Sequence, residues 1–425
     1  MKKSNFIALC VFMLGMICSV NAQFTNYTTT NSDLPSDYVV GGVVIDTNNN
    51  VWVGTDAGVA KFDGATWTVY TTADGLPVDI ISCIAVDKIT NNVWIGTDGD
   101  GVAKYDGSTW TKYTFADGLC DNGIHYIAGD PDGSIWFGSW GAGVSKLNGT
   151  TWTTYTDADG LPSDAGAQAS IYYIYVDASN NKWFGTDLGL VKYNNTAFST
   201  INQTTTPDLR SNYITSVAVD GSNNRWLGVS AKGIAKLNST DSWVANYDTI
   251  NGIYGLNAGK KGNHSYEDLE FDSQGNLWIG GHTPYGALMV GAITKFNPAT
   301  ETGVSYATAD GLVNEQIFSI AIDGNDDVWI ATGAGLSKFH DAVGITENNN
   351  NLSLDIFPNP AQDYLYINGS IRSGVAQISD ISGRIVSALT VSSPAKINIE
   401  NLDNGIYFII VTENDKNYIG KFIKE

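Results

Sequence analysis

The 425-residue chain carries 44 acidic against 23 basic side chains, a net charge of −21, and a surface that acidic repels phosphate backbones and excludes nucleic acid as a partner. Its length is too great for one compact core and calls for two or three units. The 46 glycines, 21 tyrosines and 12 tryptophans favour strands and tight turns over helices, and four cysteines are too few for a disulfide scaffold.

The chain opens on Lys2 and Lys3, an apolar run from Phe6 to Ile17, and the small-residue stretch Val20-Asn21-Ala22. That order predicts a signal peptide over residues 1–22. The apolar run is too short to span a bilayer, and Ile17 before Cys18 is a poor match to a lipoprotein site. No later stretch approaches ~18 consecutive apolar residues, so no membrane span is expected. Cys10 and Cys18 leave with the leader. Cys83 and Cys120 remain, and could pair in an oxidising compartment.

From Val51 onward one short phrase recurs at intervals of roughly 40–50 residues. It reads Val-Trp-Val-Gly-Thr at Val51–Thr55, and returns at Val93–Thr97, Ile135–Ser139, Lys182–Thr186, Arg225–Val229, Leu277–Gly281 and Val328–Thr332. Around the second copy, Ile81–Asp87, Val93–Thr97, Gly101–Asp106 and Thr109–Thr114 alternate with Gly/Asp turns, which predicts a four-stranded antiparallel blade. The stretch Phe24–Tyr27 aligns with Trp67–Tyr70, a fourth strand, whereas the last copy lacks one. The expected fold class is all-β: a seven-bladed β-propeller over residues 23–341, closed by its N-terminal strand, plus a small C-terminal β-sandwich.

The runs Asp-Gly-Leu-Pro-x-Asp, Ile-x-x-Ile-Ala-Val-Asp, Trp-Ile-Gly-Thr and Gly-Val-Ala-Lys-Tyr resemble the two-component regulator propeller repeat. The resemblance implies a ligand-sensing propeller of the kind often fused to histidine kinases and linked to polysaccharide sensing. It covers about Phe24–Phe339, and no kinase segment follows here.

Residues 342–352, with Asn348–Asn351, read as a linker. Short strands return in 353–425, at Tyr364–Ile367, Ala376–Ser379 and Ile406–Val411. Phe357-Pro-Asn-Pro360, Asp380-Ile-Ser-Gly-Arg384, Leu402-Asp-Asn-Gly-Ile-Tyr407 and Gly420-Lys-Phe-Ile-Lys424 resemble the type A sorting domain of the type IX secretion system. That resemblance implies a bacterium of the Bacteroidetes and the type IX secretion machinery as a partner through 353–425. It also implies a final location in the medium or on the outer cell surface, reached through the periplasm.

The repeated Trp and Gly positions are read as packing, because a large ring in every blade fills the space between sheets. The Asp-Gly-x-Thr-Trp segments at Asp63 and Asp106 are read as turns. Function is expected where the repeat is broken. Pro162–Ser170 and Asn251–Tyr266 lengthen two crossovers, Gly281–Ala292 lengthens the sixth blade's hairpin, and all three fall on one face.

On that face His264, Glu267 and Asp268 precede or open the sixth blade's first strand, and His282 opens its hairpin. Aligned on Asp87, Glu267 is level with Gly41, Ser82, His125, Tyr172, Thr215 and Phe318. Glu270 takes a slot that holds Ala85, Ala128, Ala218 and Ala321 elsewhere, and a carboxylate there needs a partner. Trp140 stands in a hairpin that does not require it. With His125, Tyr172, Tyr173, Tyr266, Tyr285 and Asp268 it forms a candidate ligand-binding set, its rings serving as stacking platforms at the mouth.

The expected function is recognition of an extracellular glycan or protein, without catalysis and without a cofactor. The alternative is a lyase or hydrolase, architecturally similar to the seven-bladed streptogramin lyases. It would use His264, Glu267 and His282, with a divalent metal under this reading only.

Overall fold

The structure, a computed structural model, describes residues 23–230, 232–248, 251–253, 265–282, 291–340, 351–368, 374–380, 384–392, 394–413 and 416–425. The expected leader at 1–22, His264, Tyr285 and most of the expected linker lie outside the described residues. The chain divides into two compact units, Met1–Ala342 and Val343–Glu425. It is all-β, and the helices among the described residues are single 3₁₀ turns in the crossovers, such as Thr72–Asp74.

The described residues of the first unit form seven four-stranded antiparallel sheets and one two-stranded hairpin. Each sheet begins on an inner strand: Gly42–Ile45, Cys83–Val86, Ile124–Gly129, Ile171–Val176, Ile214–Val219, Ser265–Phe271 and Ile317–Ile322. Each inner strand pairs with a second strand that carries the repeated Trp. Inner strands of consecutive sheets are neighbours, and so are those of the seventh and first sheets. There the Val43 N–H donates to Ser319 Oγ at 3.4 Å.

The repeated phrase folds this way for three local reasons. Its Trp donates from the indole to an Asp six residues back, as Trp52 does to Asp46 at 3.0 Å and Trp183 to Asp177 at 2.8 Å. The same Asp caps the intervening turn, whose left-handed position is taken by Asn49 or Asn180. Its Thr closes the next hairpin, with Thr55 Oγ1 donating to Gly58 O at 2.9 Å. Its Gly lets the next sheet approach: a Cβ on Gly138 would lie 2.5 Å from Ile171 Cγ2. The ring of Trp136 is then fully buried among Ile171, Ile174 and Phe184 of the fourth sheet.

The strand Gln23–Tyr27 supplies the fourth strand of the seventh sheet, in register from Gln23 opposite His340 to Tyr27 opposite Leu336. Tyr27 stacks on Trp329 and meets Trp67 of the first sheet, with centroids 5.7 and 5.5 Å apart. One buried ion pair joins two sheets: Lys182 Nζ lies 2.7 Å from Asp130 Oδ2, at a position that is apolar in the first three sheets. Cys83 and Cys120 are free thiols, Cys83 being buried against the Ile124 carbonyl. Neither bonds to the other.

The second unit has a five-stranded sheet and a three-stranded sheet. Leu365, Ile367 and Ile397 of the smaller sheet share one core with Ala376, Ile378, Ile409, Val411 and Phe422 of the larger. Alternation along Gly405–Glu413 puts Tyr407, Ile409 and Val411 inward and Ile406, Phe408 and Ile410 outward.

Candidate functional site

The inner strands of the first unit surround a cavity of about 970 Å³. One mouth lies where crossovers meet the hairpins between second and third strands, at Asp98, Trp140 and Tyr172, and the lining continues to the turns at the other end of the inner strands, at Lys88, Ile89 and Pro131. Trp140 of the third sheet's hairpin bridges to Ser170 of the following crossover, and Asp98 bridges to Gly123 one sheet earlier. The crossover insertion at Pro162–Ser170 folds as a small hairpin, Ser163–Asp164 against Ala167–Gln168.

Five inner strands carry a register shift near the mouth, between Ile124 and Tyr126, Ile171 and Tyr173, Ile214 and Ser216, Tyr266 and Asp268, and Ile317 and Ser319. The extra residues are His125, Tyr172, Thr215, Glu267 and Phe318. A bulge breaks the in–out alternation and re-aims one side chain; His125, Tyr172 and Phe318 line the cavity, whereas Thr215 is buried with its hydroxyl on the Gly228 carbonyl.

Two of those residues build an aromatic cluster. The rings of His125 and Trp140 lie 4.1 Å apart edge to face, and Tyr172 meets both, at 5.5 and 5.6 Å. Tyr172 also packs on Tyr213 at 4.7 Å, where the two hydroxyls hydrogen-bond. Trp140 is 53% exposed. His125 Nδ1 lies 3.2 Å from the Ile171 carbonyl, and burial holds its pKa down to about 4, so the ring is neutral at pH 7.

One step deeper the cavity becomes acidic and phenolic. Asp268 is buried and accepts four hydrogen bonds: from the Tyr173 hydroxyl at 2.8 Å, Leu269 N–H at 3.0 Å, Ser319 Oγ at 3.2 Å and Ile320 N–H at 3.0 Å. Burial pushes its carboxyl up to about 6 against the pull of those donors. Tyr126 lies over Tyr173 with centroids 4.4 Å apart. Glu270, two residues on, accepts from the Ile322 N–H at 3.1 Å. Its carboxyl is pushed up to about 8, by burial first and by the Asp268 charge second, with Lys88 pulling the other way.

The sequence-derived set is therefore partly assembled. His125, Trp140, Tyr172, Tyr173, Asp268 and Glu270 line the one cavity. They sort by depth: Tyr172 is at the mouth, whereas its neighbour Tyr173 is buried and committed to Asp268. For Tyr266, Glu267 and His282 only the backbone is described, and the ladder sets Ser265 opposite His282 and Tyr266 opposite Gly281. Among the described residues no group of three His, Cys, Asp or Glu side chains could hold a metal ion. Tyr126, Tyr213 and Ser319 were not singled out from sequence. Tyr126 was within reach, because the same alignment sets it level with Tyr173 and Asp268.

Residues 355–425 match the family described as secretion system C-terminal sorting domain, and residues 118–141 match the two component regulator propeller family. No curated protein matches the chain. Among solved structures it is similar to PorZ, a bacterial surface component of the type-IX secretion system of Porphyromonas gingivalis, at 17% identity over 92% of this chain and 60% of that one, with a TM-score of 0.58. A streptogramin B lyase is similar at 16% identity, over 75% and 98% of the two chains, with a TM-score of 0.57. The extracellular domain of the putative one component system BT4673 from B. thetaiotaomicron is similar at 18% identity, over 94% and 53%, with a TM-score of 0.55. The chain spans 60% of the first structure's length and 53% of the third's, and at these identities the likeness is one of fold. Among the described residues no helix is long and apolar enough to cross a membrane. The first unit carries a two component regulator propeller repeat and the second is a secretion system C-terminal sorting domain, which makes this a secreted or cell-surface protein.

Proposed function

We propose that residues 23–341 form a closed seven-bladed β-propeller that follows a signal peptide at 1–22 and recognises an extracellular glycan at the mouth of its channel. Residues 353–425 then act as the export tag read by the type IX secretion machinery. The observation that carries the binding reading is Trp140. A largely exposed indole, braced by His125 and Tyr172 and backed by Tyr213, offers a rigid apolar face that the fold itself does not use. Sugar rings present flat C–H faces to such surfaces, and a neutral His125 adds a hydrogen-bonding edge without a charge.

The test is a glycan-array screen on the full chain, followed by calorimetry with Trp140→Ala. Binding is expected to fall at least tenfold with an unchanged melting profile, since Trp140 is on the rim and outside the core. Wild-type affinity in Trp140→Ala would sink the reading. The enzyme alternative has one point in its favour, the ladder that sets Ser265 opposite His282 beside Tyr266 and Glu267. Turnover of a screened ligand that vanishes in His282→Ala would favour it.

A further inference from the structure

We propose that the channel holds a primary ammonium group against Glu270, so that the glycan taken at the mouth is one bearing free amines. This rests on the glycan reading above and names its substrate class. In each sheet one inner-strand residue stands opposite the repeated Trp: Val44, Ala85, Ala128, Tyr175, Ala218, Glu270 and Ala321. Five small apolar side chains at that level leave the channel open beside a single carboxylate and a single phenol. Nothing in the repeat's packing asks for either.

The hydrogen bonding separates the two acids. Both oxygens of Asp268 are already engaged, Oδ1 by Tyr173 and Leu269 and Oδ2 by Ser319 and Ile320. Glu270 has its Oε2 engaged by Ile322 and keeps Oε1 for the cavity it lines. A divalent ion would need several free oxygens, and a guanidinium would want both oxygens of one carboxylate. A primary ammonium needs a single strong acceptor and weaker ones around it. The phenols of Tyr126 and Tyr175, which line the same cavity, provide these, and their rings add a favourable quadrupole.

Charge selects in the same direction. The described lining includes Asp98, Asp130, Asp268 and Glu270 against the one basic residue Lys88, which is exposed; Asp130 is neutralised by Lys182. The raised pKa of Glu270 reflects a desolvated carboxyl beside another acid; the charge of an ammonium at Oε1 offsets the repulsion from Asp268, and at pH 7 its binding displaces the proton that burial keeps on the carboxyl. Three residues of strand, ~10 Å, separate the level of Tyr172 from that of Glu270. A short oligosaccharide stacked on Trp140 covers that distance.

Calorimetry on the full chain with a β-1,4-linked glucosamine tetramer and its fully N-acetylated counterpart tests the idea, using wild type, Glu270→Gln and Trp140→Ala. The free-amine tetramer is expected to bind wild type at least tenfold more tightly. Glu270→Gln should abolish that preference, bringing the affinity for the free-amine tetramer down to within about twofold of that for the acetylated one. Equal affinities in wild type, or a preference that survives in Glu270→Gln, overturns the proposal while leaving the mouth reading intact. If neither tetramer binds, n-butylammonium probes the inner level without the mouth. Millimolar binding that requires Glu270 supports the inference, and none overturns it. Trp140→Ala reports on the mouth alone, through joint loss of both tetramers. Thermal melts of Glu270→Gln confirm that the variant is folded.

Discussion

Glu270 and Asp268 stand two positions apart on one strand, yet their surroundings give them different tasks. Asp268 is a structural acceptor that ties the fourth and seventh sheets to the sixth, through Tyr173, Ser319 and Ile320. Glu270 is held by one backbone donor and makes no ion pair among the described residues. Its folded pKa, about 8, lies above the ordinary 4.5, so the folded state keeps a proton that the unfolded chain releases. With that sign, stability is fully present below about pH 4.5 and is lost as pH rises toward 8. Glu270→Gln mimics the protonated form and removes the loss. The variant should melt with wild type near pH 5 and a few degrees above it at pH 9, a gap on the order of 2 kcal/mol. Melts that superimpose at both pH values would show that Glu270 is solvated and charged throughout.

At the level of the element, the turn after each inner strand explains both the regularity of the repeat and its one lapse. Six of the repeated tryptophans donate to an Asp six residues earlier. In the second sheet the turn Lys88–Asn92 is one residue longer, and the buried Trp94 indole N–H has no partner. Asp87 turns instead to the Ile89 N–H and the Thr90 hydroxyl. Deleting the exposed Ile89 restores the common spacing. The expected gain is about 1 kcal/mol, the net worth of one hydrogen bond to a buried donor, read as a higher melting temperature. A lower one would mean that the longer turn is itself the better solution. Such regularities are why the sheets could be read from sequence: Trp, Gly, Thr and the preceding Asp each serve a local contact that repeats with the strand. The site was less legible for the same reason. Its rim residues occupy bulges, which shift the alternation by one, so Tyr172 and Tyr173 look alike in sequence but lie at different depths. Tyr126 and Ser319 matter only through contacts with strands one or more sheets away, which no local pattern records.

One strand pairing in the first unit joins segments separated by nearly its full length. Gln23–Tyr27 belongs to the seventh sheet by hydrogen bonding, but its side chains reach both neighbours. Phe24 meets Phe339 of its own sheet at 5.1 Å and Tyr306 of the sixth at 6.3 Å. The Asn26 amide donates to the Gly311 carbonyl at 2.9 Å, and Tyr27 packs on Phe62 and Trp67 of the first sheet. Phe198 is the same residue type on the equivalent outer strand of the fourth sheet, packed on Tyr193 at 4.5 Å and Tyr155 at 5.6 Å, but covalently continuous with its sheet. Phe24→Ala and Phe198→Ala each remove about 3 kcal/mol of ring burial, and the comparison isolates closure from packing. In Phe198→Ala, hydrogen exchange should quicken in the fourth sheet and the face that touches it. In Phe24→Ala the strand Gln23–Tyr27 is expected to be released as a unit. Exchange should then quicken together in Gly335–His340, in the outer strands of the sixth and first sheets, and along the inner strands where the seventh sheet meets the first. If the change in Phe24→Ala stays within Gly335–His340, the strand is an ornament on a seventh sheet that stands without it, and the array is held by its sheet-to-sheet packing alone.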